Sequence, residues 1–212
     1  KLVCENQVHG LPGSGIDLCR FTLAPLPEGP PSFLMIARLL RDKGVLEYVG
    51  AARDIRARYP DASFRLLGAA GAQNRSAISA LEVAGWQAEG IIDYLGTTED
   101  VRPHIAQAQC VVLPSYREGA PRTLIEGAAI GRPAIATNVP GCRNVVADGL
   151  TGFLCAPRSA AALAAQCARF ISMPHAERVV MGQAARSRME VLYDDAIVVR
   201  AYIEVIKRQS SL

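Results

Sequence analysis

Two glutamates stand eight positions apart in "SYREGAPRTLIEG", residues 115–127. Glu118 precedes a proline; Glu126 follows it, in a helical pattern otherwise built from Leu, Ile, Ala and Gly. Ionised groups resist apolar surroundings, so a carboxylate there needs a reason. Pro121 suits a first helical position, where its missing N–H would have no partner anyway. The amides of Arg122, Thr123 and Leu124 then point outward at the positive end of the helix dipole, a ready site for a phosphate. Gly119 just ahead lets the backbone come close to a ligand. Glu126, one turn beyond Arg122, can face the same side. It cannot bind phosphate, but it can accept two hydrogen bonds from a vicinal diol such as a ribose offers. An anion-binding helix end and a diol acceptor about 5–8 Å apart, the reach of about five helical residues, suit a nucleoside diphosphate. Glu118 in the loop is placed for the hydroxyls of a sugar beyond the phosphates. The same spacing also fits a solvated loop glutamate and an ordinary polar helix position.

A second cluster lies in "MIARLLRDKG", residues 35–44. Arg38 and Lys43 flank a strand-to-helix turn that Gly44 lets tighten, and both cations reach toward one ligand mouth. Arginine would grip a diphosphate through paired donors and lysine as a point charge. Ordinary surface charge is the competing account. Arg41 is the internal control, close by and given no ligand role.

These residues need a frame. Short, continuous, β-branched runs recur along the chain: "SFLMIAR", "SFRLLGA", "IIDYLG", "CVVLPS", "PAIAT" and "GFLCAP". Helical patterns separate the first five, from about Val45 to Tyr59, from about Ser76 to Ala84, in the short "EDVRPHIAQA", and through Glu126. This alternation predicts an α/β fold, a Rossmann-like parallel sheet with helices on both faces, followed by a helical tail from Ser159. Ligands in such sheets bind beyond the carboxyl ends of the strands, where both clusters fall. Residues 1–31, rich in Gly and Pro, read as a linker with loose turns, and 32–212 as the domain itself.

Composition bounds the rest. The 212 residues carry 23 basic and 20 acidic side chains, a net +3, too little to argue for nucleic acid. Local arginine groups, Arg53, Arg56 and Arg58 and then Arg186 and Arg188, read as solvated helix faces. Six cysteines form no CxxC pair and only three histidines accompany them, which disfavours a zinc site and suits reduced thiols in the cytosol. The sequence shows no signal peptide and no apolar run of membrane-spanning length. It reads as a piece of something longer.

Taken together, "ARLLRDKG", "YLG" and "VLPSYREGAPRTLIEGAAIGRPAIATNVPGCRNVVADGLTGFLCAP" resemble the nucleotide-sugar-binding domain of the glycogen-synthase-like glycosyltransferases, family four, of the GT-B fold. The likeness runs from about residue 12 to the final helix. Ala37 replaces the family's usual glycine and "GAAIGRP" its commoner "AMACGKP"; neither removes a ligand. The resemblance implies that Arg38 and Lys43 face the diphosphate, Glu126 the ribose, and Glu118 the donor sugar near the reacting centre. It places Gly119, Ala120 and the run Pro121, Arg122, Thr123 and Leu124 around phosphate and sugar, and Tyr94, Leu95 and Thr97 at the base.

The activity so implied is a retaining transfer of a sugar from a nucleotide-diphosphate sugar, UDP-linked first of all. No metal or cofactor is implied, the basic pair taking the divalent ion's role. The acceptor, saccharide or lipid-linked, belongs to an amino-terminal domain outside this chain. "REGAPRTLIEG" is most similar to bacterial transferases that build lipopolysaccharide or lipid-linked saccharides. That implies a cytoplasmic enzyme and allows peripheral association of the full-length protein with the inner membrane. Two rivals share the binding half: a nucleotide-sugar epimerase or hydrolase of the same fold, and a module that only binds nucleotide. The apolar final helix, "AIVVRAYIEVI", is expected to lean on the absent domain or to pack into the core.

Overall fold

In a computed structural model, residues 15–71 and 74–209 are described. The six strands are β1 Ser32–Ile36, β2 Ser63–Leu67, β3 Asp93–Tyr94, β4 Cys110–Leu113, β5 Ala134–Thr137 and β6 Gly152–Cys155. All pair in parallel, in the order β3-β2-β1-β4-β5-β6. Between them run α1 Val45–Arg58, α2 Ala80–Ala88, α3 Arg102–Ala106, α4 Arg122–Ala129 and α5 Pro140–Val145. The tail consists of α6 Ala160–Ser172, α7 His175–Leu192 and α8 Asp195–Gln209.

Strand side chains alternate between the two faces, so one strand feeds two cores. Phe33 and Met35 enter a cluster with Tyr48, Phe64 and Phe170, beneath α1 and α6. Leu34 enters the other, with Val111, Leu113, Ile125 and Ala129, beneath α4 and α7. The small residues of α4 now have a cause. A Cβ on Gly127 would lie 2.8 Å from Val111 Cγ2, so the helix sits on β4 only because that position is bare.

Several expectations need correction. α2 spans Ala80–Ala88 rather than 76–84. Ser79 and Glu82 form a reciprocal capping box that fixes its start, and Gly85 lies within it. α4 begins at Arg122, with Pro121 as the extended residue before it. α5 was not expected at all; its residues, "PGCRNV", are too few and too polar to show a helical period. Arg186 and Arg188 are not solvated faces. Arg186 Nη1 donates to the carbonyls of Phe21 and Ala129, and Arg188 to those of Asn144 and Val145.

Residues 15–31 are irregular but not loose. Phe21 and Leu26 are buried, and the fully buried Arg132 donates through Nη2 to the carbonyls of Ala24 and Pro25. Residues 1–14, where the linker reading starts, lie outside the described residues. On α8, Val199, Tyr202, Ile203 and Ile206 expose an apolar stripe, while Val198 is buried. No described helix is long and apolar enough to cross a membrane.

Candidate functional site

From β1 the chain steps outward through β2 to β3, then returns past β1 to lay down β4 and steps outward the other way. The loops leaving β1 and β4 therefore diverge and open a crevice at the carboxyl ends of those strands, the place where open α/β sheets hold ligands. The β1 loop carries Arg38 and Lys43, and the β4 loop carries Glu118. A cleft of about 260 Å³ lies between them, walled by Ala37, Arg38, Lys43, Glu118, Ala120, Pro121, Arg122 and Thr123.

Lys43 Nζ and Glu118 Oε1 form an ion pair of 2.7 Å, with both side chains largely buried. Lys43 comes from a single 3-10 turn, Arg41–Lys43, that ends on Gly44 in the left-handed region. Arg38 is exposed at the cleft mouth. Arg41, the control, turns away and pairs with Glu82 at 3.0 Å. Arg41 and Lys43, two positions apart, thus separate by partner, and only Lys43 joins Arg38 on the wall.

The start of α4 is tied to β1, since Thr123 Oγ1 donates to the Ile36 carbonyl at 3.0 Å. The amides of Arg122 and Thr123 donate to no acceptor among the described residues; that of Leu124, expected to be free, is spent on the Pro121 carbonyl. Two convergent amides remain for an anion rather than three. Glu126 sits one turn further in, nearly buried, and accepts from Arg122 Nε at 2.9 Å. Burial raises its carboxyl above the usual glutamate range; the Arg122 bond and the charge of Arg20 pull the other way.

Tyr94, the last residue of β3, and Leu95 and Thr97, on the loop that leaves it, lie outside this cleft. The Tyr94 hydroxyl donates to the Gly68 carbonyl at 2.9 Å, Leu95 is half-buried, and Thr97 is exposed. Gly119 is exposed beside the cleft.

Sequence reasoning missed the supports of this loop. A Cβ on Gly141 would fall 2.3 Å from the Glu118 carbonyl oxygen and 2.7 Å from that of Gly119, so α5 backs directly onto the acidic loop. The Thr137 hydroxyl donates to the Ser115 carbonyl, and the Tyr116 hydroxyl to Glu47. "PG" after a strand was a signal for the first; the others depend on partners far away in sequence.

The chain matches the family described as Glycosyl transferases group 1 over residues 23–188. It belongs to that family of glycosyltransferases. Among relatives it is 30% identical over 194 residues to a glycogen synthase of Mycobacterium tuberculosis, covering 91% of this chain and 46% of that one. It is 25% identical over 217 residues to the putative colanic acid biosynthesis glycosyltransferase WcaL of Escherichia coli, covering 98% and 53%. Of solved structures, Anabaena HepE in complex with UDP and glucose superposes with a TM-score of 0.76 at 21% identity, over 93% of this chain and 55% of that one. The chain spans about half the length of the curated relatives it matches.

Proposed function

We propose that this chain is the donor-binding half of an enzyme that transfers a sugar from a nucleotide-diphosphate sugar, UDP-linked, to a saccharide or lipid-linked acceptor, with retention. Residues 1–31 connect it to an acceptor-binding domain and 32–212 hold the donor. The observation that carries this is convergence: Arg38, Lys43, Glu118 and the α4 end with its two free amides line one cleft at the sheet switch point, and Glu126, outside the cleft wall, reaches it through Arg122.

Each group has a task. Arg38, Lys43 and the amides of Arg122 and Thr123 hold the diphosphate and stabilise the negative charge that grows on it as the glycosidic bond breaks. Glu126 accepts from the ribose hydroxyls, and Glu118 faces the donor sugar. The nucleotide enters a site in which Lys43 is already paired with Glu118 and Arg122 with Glu126, while Arg38 stands exposed at the mouth. Gly119, Ala120, Pro121 and Leu124 shape the backbone around phosphate and sugar, while Tyr94, Leu95 and Thr97 border the base. WcaL, and the likeness of the 117–127 segment, support a role in bacterial surface-saccharide synthesis on the cytoplasmic side of the membrane. The apolar stripe of α8 then faces the acceptor domain. The chain alone binds nucleotide and transfers nothing, because half of the orienting surface lies elsewhere.

Calorimetry with UDP and GDP tests the site. Arg38→Ala is expected to weaken the preferred diphosphate by about 1–2 kcal/mol, the range for one exposed charge-assisted bond. Arg41→Ala, the paired control, leaves it unchanged. Equal effects of the two substitutions would remove Arg38 from the site.

A further inference from the structure

The loop bearing Glu118 is gripped by a side chain that the transfer itself does not use. Tyr116 donates its hydroxyl to Glu47 Oε1 at 2.7 Å, and its amide donates to the Asp42 carbonyl at 2.9 Å. Asp42 adjoins Lys43 in the 3-10 turn, so Tyr116 joins the two loops whose charged tips meet in the cleft. The guanidinium of Arg158 covers the tyrosine ring, 4.8 Å from its centroid.

Two features set this cluster apart from ordinary packing. Glu47 Oε2 is buried with no hydrogen-bond partner, an arrangement that proteins seldom tolerate. Arg158, at φ 58°, is the one non-glycine with positive φ among the described residues, and such backbones persist where their surroundings hold them. Burial and the neighbouring Glu47 push the Tyr116 phenol up to about 12, so it remains a donor at neutral pH.

We infer that Tyr116 is a positioning residue for donor capture: anchored on Glu47 and capped by Arg158, it locks the β4 loop to the 3-10 turn so that Lys43 and Glu118 stand at the diphosphate. The inference rests on the donor-binding reading above. With Lys43 assigned to the second phosphate, and the α4 end and Glu126 to the nucleoside monophosphate, it predicts an effect on the diphosphate and not on the monophosphate.

The test titrates this chain and its Tyr116→Phe, Glu47→Leu and Glu47→Gln variants with UDP, UMP, GDP and GMP, with thermal unfolding measured alongside. The unsubstituted chain is expected to prefer the diphosphate of one base. Tyr116→Phe loses at least fivefold in that diphosphate affinity while the monophosphate stays within twofold. Glu47→Leu does the same, and Glu47→Gln, which still offers the phenol an acceptor, keeps the preference. Should the phenylalanine variant not fold, Glu47→Leu decides by the same criterion. Equal weakening of both nucleotides, or an unchanged diphosphate preference, overturns the positioning role and leaves the donor site standing. An unsubstituted chain that binds none of the four overturns both.

Discussion

Glu126→Gln is expected to stabilise the chain and weaken nucleotide binding in the same protein. The carboxylate is nearly buried on a helix of small and apolar residues, and burial raises its pKa. A carboxyl whose folded pKa lies above the ordinary value near 4.5 contributes stability below that value and loses it as pH rises through the raised one. At neutral pH the ionised form is therefore a cost that glutamine removes while keeping an acceptor for Arg122. Arg122 is well exposed and tolerates the loss of its partner's charge. Relief of about 1 kcal/mol raises the melting temperature by about 2–4 °C in a chain of this size. The gain is present at pH 7, fades as pH falls through the raised value and is gone below the ordinary value near 4.5, where the glutamate is neutral in both states. Affinity moves the other way. Losing a charged acceptor from a ribose diol costs about 1–3 kcal/mol, up to some hundredfold in Kd. Unfolding curves across pH and calorimetry with UDP and GDP read both. Destabilisation at neutral pH with unchanged affinity would make Glu126 a structural residue and remove it from the donor site.

A carboxylate on so apolar a helix is what made the acidic pair conspicuous in the sequence. Natural chains rarely keep a carboxylate where it opposes stability unless it does something else, so Glu126 stood out among Leu, Ile, Ala and Gly. The strands were legible for a related reason. Most are buried on both faces and read as apolar runs, and all six, the short and more exposed β3 included, lie inside the segments read for them. α2 was misplaced because the polar cap that sets its start, Ser79 with Glu82, carries no apolar period. The pairings of the site were not legible at all. Lys43 meets Glu118 across 75 positions and Tyr116 meets Glu47 across 69, and both follow from β1 pairing with β4 rather than from any local spacing. Charge type could be read; which charge answers which could not.

Gly44→Ala is the second large effect, and it tests the seam between the two loops. Gly44 ends the 3-10 turn and precedes α1 with φ 76°, a conformation that costs an L-residue about 1–2 kcal/mol. A Cβ there would also lie 2.1 Å from the Pro114 carbonyl oxygen and 2.7 Å from its carbon. That atom is main chain at the end of β4 and cannot swing aside as a side-chain tip does. The turn or the strand end must move, at about 1–3 kcal/mol for overpacking. The expected loss is about 2–4 kcal/mol, a fall of roughly 5–15 °C in melting temperature. The displacement acts where Tyr116 N–H reaches the Asp42 carbonyl and Lys43 reaches Glu118. Diphosphate affinity should therefore fall at least tenfold in protein that is still folded at the assay temperature. Gly85→Ala supplies the contrast. Gly85 lies inside α2 with nothing within 4 Å of an added Cβ, so alanine there gains about 0.5–1 kcal/mol from helix propensity alone. If Gly44→Ala melts with the unsubstituted chain and binds as well, the close approach of the β1 and β4 loops does not set the site, and Lys43 is placed by something other than the seam.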